Sequence, residues 1–212
     1  MITCILLSIL VSLSNKLSGQ QGEFGLGVFA YSGMSQIDGD DLRGFQYFSY
    51  EFGMSGTYAT SEKTLLMISL SYGKQGSERG SEDRPLLSNK YLAEVDYNRA
   101  SLLASYRWKF GFDWDGEYKY YLDTGLKYSR ILDVESRLTA SSVNDPYQLL
   151  ASDFQSQFLS IQFGLGIKLL KNLGLGFRYE HCLQNLLEES DDLRLNRLIP
   201  FEIGLALNYN IF

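Results

Sequence analysis

His181 is the only histidine in the chain, so an acid–base or nucleophilic site would have to use it or carboxylates alone. Ser190, Asp191 and Asp192 follow closely and could approach it, completing a histidine, serine and acid set. No spacing rule supports that set. In an extended segment Glu180 and Cys182 point away from His181, so His181 reads as an interfacial residue near a strand rim and Cys182 as a small, inert inward side chain. Glu188, Glu189, Asp191 and Asp192 form an acidic cluster without the glycine turn of a calcium loop, and one histidine with dispersed acids offers no zinc spacing. The cluster reads as a solvated tip. Gly76 to Gly80 (GSERG) has neither the lysine nor the following helix of a phosphate loop. GLGIKLLKNLGLG, from Gly164, alternates as two strands and a tight turn, not as a nucleotide fingerprint. No residue is therefore assigned as catalytic, cofactor-binding or metal-ligating, and a non-enzymatic protein is expected.

The elements that carry these residues are strands. Eight segments alternate with a period of two: Gly22–Met34, Arg43–Tyr58, Lys63–Lys74, Tyr91–Trp108, Glu117–Leu132, Asp153–Leu170, Asn172–Gln184 and Leu198–Phe212. The last sets Ile199, Phe201, Ile203, Leu205, Leu207, Tyr209 and Ile211 against Glu202, Gly204, Ala206, Asn208 and Asn210. A terminal strand of that length would be an exposed edge unless the sheet closes. In the fourth segment Val95 and Tyr97 are out of phase with Leu102, Ala104, Tyr106 and Trp108, which predicts a bulge near Arg99 to Ser101. The less apolar face carries Gly25, Gly27, Gly53, Gly73, Gly125, Gly164, Gly166, Gly174, Gly176 and Gly204, which suit the interior of a narrow barrel. It also carries Glu51, Asp123, Lys127, Lys168, Arg178, Glu180 and Glu202, so a lumen braced by ion pairs is expected rather than a wide pore. Tyr72, Tyr91, Tyr106, Trp108, Tyr120, Tyr128, Tyr179 and Tyr209 fit aromatic girdles.

Connections alternate short and long. Those after the second, fourth and sixth segments are tight, whereas Ser35–Leu42, Gln75–Lys90, Asp133–Ser152 and Asn185–Arg197 are longer and polar. Transmembrane barrels show this asymmetry, with turns in the periplasm and loops outside. Residues 1–20 have an apolar run from Ile5 to Leu13 that is too short for a helical span and read as a signal peptide, leaving 21–212 as one barrel domain. No later segment offers about 18 consecutive apolar residues. With residues 1–20 removed, Cys182 would be the only cysteine, so no disulfide within the barrel is expected. The net charge of −6 comes without a basic cluster, which leaves nucleic-acid binding unsupported. The fold class is all-β, an eight-stranded antiparallel up-and-down transmembrane β-barrel.

Phe48–Gly76, the stretch from Gly164 to Leu186 and the closing IGLALNYNIF from Ile203 resemble the PorT-like outer-membrane β-barrel domain family. The resemblance includes the Arg178–Tyr179 pair on the penultimate strand and extends over residues 21–212. Phe212 departs from it, standing one residue out of phase with the apolar face that ends at Ile211. The resemblance implies the bacterial outer membrane and, for some members, a link to a protein-secretion apparatus. The expected partners are outer-membrane lipid and lipopolysaccharide, whose phosphates divalent cations could bridge to the acidic tip, together with the barrel-assembly machinery and secretion-apparatus proteins. A monomer is expected. Two other readings stay open: a membrane-embedded lipid-modifying enzyme using His181, and a soluble periplasmic ligand-binding barrel with its apolar face inward.

Overall fold

Alternation of apolar with small or polar residues becomes eight strands in the computed structural model, which describes residues 24–38, 45–78, 92–138, 154–187 and 198–211. They are β1 (Phe24–Asp38), β2 (Tyr47–Ser61), β3 (Thr64–Glu78), β4 (Leu92–Phe112), β5 (Tyr118–Leu138), β6 (Gln157–Leu170), β7 (Leu173–Cys182) and β8 (Ile199–Asn210). Each pairs antiparallel with its neighbours in sequence, and β1 pairs with β8, so the sheet closes as a barrel with no free edge. Every backbone ladder then finds its partner within the wall, the condition for strands to cross a bilayer.

The register shows how strongly the strands tilt. A row of paired residues that starts at Phe24 passes Tyr58, Leu66, Tyr106, Thr124, Phe163, Tyr179 and Ile203 and returns to β1 at Met34. Closure therefore shears the sheet, and each row climbs obliquely around the wall toward the long-loop end. The other end is closed by tight turns. Thr60, Ser61 and Thr64 link side chains across the β2–β3 turn. Gly111, at the end of β4, and Gly116, in the β4–β5 connection, take the chain through the left-handed region at φ 64° and 78°.

Leu26, Val28, Met54, Ile68, Leu70, Leu102, Leu126, Phe163, Leu165, Phe177, Leu205 and Leu207 all point outward and are exposed. An apolar wall of this extent has no stable place in water, which excludes the soluble ligand-binding barrel. Aromatic residues rim it. Phe24, Trp108, Phe112, Tyr120 and Tyr209 lie toward the turns, while Phe48, Tyr50, Tyr72 and Tyr128 lie toward the loops. Tyr179 is half-buried on the same wall, and Tyr91 lies outside the described residues.

Three expectations need correction. First, β1, β3 and β5 continue to Asp38, Glu78 and Leu138, so the connections expected from Ser35, Gln75 and Asp133 begin inside strands. Beyond the membrane level both faces of a strand are wetted or packed under loops, and the hydropathy contrast fades while the hydrogen-bond ladder continues. Second, no bulge falls in β4 at Arg99 to Ser101. Its pairing with β3 runs without a break, and the irregularity lies on β5, where Leu132 is the extra residue opposite Asn98 and Arg99. Val95 and Tyr97 keep the inward parity of Arg99 and are fully buried because the barrel interior itself turns apolar at the loop end. There Ile37, Val95, Tyr97, Phe154, Phe158, Cys182, Leu186, Leu187, Leu198 and Ile199 form a plug. Third, Ile199, expected outward, belongs to that plug.

Candidate functional site

Below the plug the barrel interior is ionic. Glu51 on β2, Arg99 on β4, Lys127 on β5, Arg178 and Glu180 on β7 and Glu202 on β8 converge on the axis, all buried. Alternation puts each on the inner face, and the glycines around them leave room for long side chains to reach across. Arg99 is the hub. Its Nη1 donates to Glu180 Oε1 at 2.6 Å, and its Nη2 donates to Glu51 Oε2 at 3.1 Å, Glu202 Oε1 at 3.0 Å and Glu180 Oε2 at 3.2 Å. Lys127 Nζ donates to Glu51 Oε2 and to Glu180 Oε2 at 2.7 Å. Arg178 Nη2 donates to Glu51 Oε2 at 3.0 Å and Glu202 Oε1 at 3.1 Å, and its guanidinium lies 3.6 Å from the centre of the Tyr31 ring. Gly33 and Gly204 pair directly across the β1–β8 seam beneath that ring. A Cβ at either would meet the Tyr31 hydroxyl and backbone of the other strand within 3 Å.

Three carboxylates face three cations. Desolvating six charges is costly, and the cluster is tolerable because each charge is matched and hydrogen-bonded in a low-dielectric interior. Oxygens of Glu51, Glu180 and Glu202 come within 4.8 Å of one another, close enough to share a metal ion. The chain's own Arg99 and Lys127 nitrogens already occupy the space between them, which leaves the trio no unmet charge.

A second ionic layer lies toward the turns. Arg107 donates to both oxygens of Asp123, at 2.7 Å each, and stacks 3.9 Å from the centre of the Tyr121 ring. Tyr121 in turn lies over Gly166 and Gly176 and accepts from Asn208 Nδ2 at 3.3 Å. Between the layers is a cavity of about 40 Å³ that touches Ser105, Gln162 and Arg178. Ser105 Oγ, Gln162 Oε1 and Arg178 Nε are buried with no protein partner, and the cavity has room for a water to serve them. Past Tyr121 the lumen opens at the turn end into a vestibule of about 570 Å³ lined by Lys109, Lys168, Lys171, Glu62 and Glu117.

Of the inward charges read from sequence, Glu51, Lys127, Arg178, Glu180 and Glu202 meet in one network, and Asp123 sits in the second layer. Lys168 does not join either. It pairs with Glu117 at the rim of the vestibule. Arg99 and Arg107 are the residues that sequence reasoning missed. A charge balance would have pointed toward a further inward cation, since four inward acids against Lys127, Lys168 and Arg178 leave a carboxylate unmatched in a sealed lumen.

His181 faces outward, its ring stacked on Tyr179 at 6.3 Å and tilted against Phe201 at 6.4 Å. No hydroxyl or carboxylate contacts it among the described residues. Ser190, Asp191 and Asp192, like Glu188 and Glu189, lie outside the described residues, as do residues 1–20 and Phe212. Cys182 points inward as expected, with Sγ donating to the carbonyls of Gln184 at 3.2 Å and Leu159 at 3.6 Å.

A closed barrel of eight tilted strands, apolar outside, ringed by aromatics and polar within, is an integral outer-membrane β-barrel, and the bacterial outer membrane is its place. No family model matches the chain, and no curated protein matches it. Solved structures do. Neisserial surface protein A is 12% identical at a TM-score of 0.47, with 90% of this chain and 99% of that one covered. Ail, the attachment invasion locus protein of Yersinia pestis, solved with the heparin analogue sucrose octasulfate, is 14% identical at 0.39, with 90% and 100% covered. The outer membrane protein OprG from Pseudomonas aeruginosa is 15% identical at 0.36, with 89% and 95% covered. The assignment to the membrane rests on this chain's own wall and closure, and overlaps of this size carry nothing about activity.

Proposed function

We propose that this chain is a non-conducting, non-enzymatic outer-membrane barrel that acts as a monomer through the segments joining its strands at the loop end, held outside the cell as a binding or interaction surface. The observation that carries this reading is the filled lumen. An apolar plug, a six-residue ionic cluster and the Arg107–Tyr121 layer lie in series along the axis, so the interior has the character of a packed core, and capacity for recognition falls to the rim. The PorT-like resemblance supports an accessory part in envelope protein secretion, with secretion-apparatus proteins as partners. Insertion would pass through the barrel-assembly machinery after removal of residues 1–20, and the wall would then be solvated by outer-membrane lipid and lipopolysaccharide. His181 serves the wall as an interfacial aromatic in this reading, not as a general base.

Photo-crosslinking in intact cells tests it. Probes placed between β3 and β4 and between β5 and β6 are expected to capture envelope proteins, whereas a probe at Leu165 captures none. A lipid modification that depends on His181, or a large and stable single-channel conductance from the purified protein, would overturn the reading in favour of an enzyme or a porin.

A further inference from the structure

Among the described residues, the outer wall carries one cation that no acid balances. Among the side chains described there, the outward faces of the strands hold two cations, Lys74 on β3 and Arg130 on β5. Lys74 is paired with Asp96 at 2.9 Å. Arg130 is exposed and has no hydrogen-bond, ion-pair or ring partner among those residues. It follows Tyr128 by two positions and so stands one step beyond the aromatic rim toward the loops, at the level where lipid headgroups meet the wall. An arginine in that place is fully charged and presents a donor fork that fits phosphate.

Beneath it the wall is shaped to take a chain. A groove of about 910 Å³ is lined by Val28, Phe52, Met54, Leu70, Leu102 and Tyr128, with Arg130 at one end. Its floor is low because Ala100 contributes little bulk between larger neighbours. Ala100 pairs directly with both Tyr72 and Arg130, which makes a notch at the base of the guanidinium. Phe52 and Tyr72, with ring centres 5.6 Å apart, form one bank. The row Val28, Met54, Leu70, Leu102, Tyr128 climbs obliquely with the tilt of the sheet, so the groove runs from the rim at Tyr128 down into the apolar band at Val28. A cation at the rim and an apolar channel descending from it match a phosphorylated lipid, head at Arg130 and acyl chain in the channel.

We infer that this face is a specific lipid site, in which Arg130 holds a phosphate of lipopolysaccharide lipid A and the groove under Ala100 seats one of its acyl chains. The choice of lipid A over a glycerophospholipid rests on the proposed orientation, which puts the loop end and therefore Arg130 in the outer leaflet. Both are anionic lipids, and the test separates them.

The purified, delipidated barrel is mixed in detergent with lipid A, with lipid A stripped of its phosphates, or with phosphatidylglycerol, and the bound lipid is read by native mass spectrometry. The wild type is expected to hold phosphorylated lipid A in preference to the other two. Arg130→Ala is expected to weaken that binding about tenfold, the scale of removing one charge-assisted hydrogen bond. Arg130→Lys should keep part of it, and Ala100→Phe, which fills the notch, should lose it with the charge intact. Both positions lie on the wall away from the lumenal network, and retained heat-modifiable gel mobility verifies that each barrel is folded. Equal binding by wild type and Arg130→Ala, equal binding of dephosphorylated lipid A, or a preference for phosphatidylglycerol would each overturn the inference. The readout uses no cell and no loop, so it stands or falls apart from the proposed interaction role.

Discussion

Replacing Arg99 with methionine should be the most damaging single change available in the lumen. The guanidinium makes four hydrogen bonds to three carboxylates. Without it Glu51, Glu180 and Glu202 share only Lys127 and Arg178, and a sealed, low-dielectric interior is left with one negative charge in excess. Removing one partner of a buried ion pair costs roughly 3–5 kcal/mol, most of it the penalty on the charge left behind. The cost should therefore fall when that charge is removed too. Glu180 is the carboxylate that Arg99 binds through both oxygens, and Lys127, its other partner, also reaches Glu51. Arg99→Met with Glu180→Met returns the cluster to two carboxylates and two cations of apolar-compatible shape, and it should be more stable than Arg99→Met alone by about 2 kcal/mol or more. The assay is reversible urea unfolding of the barrel in lipid vesicles, followed by tryptophan fluorescence and by gel mobility without boiling. If Arg99→Met unfolds with the wild type, or if the double variant is simply the sum of two losses, the cluster is not a charge-balanced unit and the reasoning fails.

Other consequences are open to simpler measurements. Leu165→Arg puts a charge on the outer wall between the aromatic belts and should cost roughly 2–4 kcal/mol near the bilayer midplane, measured by the same unfolding assay, whereas Glu202→Gln should insert normally and lose only part of the interior network. Gly204→Ala should destabilise more than Gly174→Ala, because its new methyl would meet backbone of β1 at 2.4 Å while the one at Gly174 meets its nearest atom at 3.4 Å; unfolding midpoints rank the two, and equal midpoints would refute the seam argument. Cysteines at Glu82 and Asn144, in connections outside the described residues, should react with an impermeant reagent on intact cells while one at Thr60, beside the β2–β3 turn, should not; the reverse pattern would invert the orientation. Planar-bilayer recordings of the wild type should show little or no conductance.

The wall was legible in the sequence and the lumen only partly so. Two-residue alternation is imposed by the pleat itself, and lipid on one side with a crowded interior on the other makes the two faces chemically distinct. Positions such as Leu165 against Gly164, or Leu205 against Gly204, therefore declare their sides without any knowledge of the neighbours. Arg99 does not. Its side was obscured because Val95 and Tyr97, which share it, are apolar, and an apolar inward face at the loop end looks in sequence like an outward face shifted by one residue. What separates the two readings is the plug formed with Phe154, Phe158, Leu186 and Leu198, residues more than fifty positions away in the chain. The true irregularity, at Leu132 on β5, leaves no comparable mark, since Ile131 and Val134 are both apolar and their change of parity resembles ordinary variation at a strand end.

That remoteness has a physical consequence for how the barrel forms. Arg99 meets Glu180 and Glu202 across sequence separations of 81 and 103 residues, and Arg178 meets Glu51 across 127. None of these pairs can exist in a hairpin or in any open run of neighbouring strands, because each needs the interior to be enclosed. Until β1 meets β8, the six charges face water or lipid on an open sheet, and closure must desolvate them together. The apolar wall favours the bilayer whether or not the sheet is closed, but the ionic cluster favours only the register in which all three carboxylates find all three cations. A slip of one residue at the β1–β8 seam would turn Glu202 outward and break the seating of Tyr31 over Gly33 and Gly204. The lumenal charges thus favour the correctly closed register over its neighbours, which gives a reason for a filled barrel to keep six buried charges where apolar residues would pack at less cost.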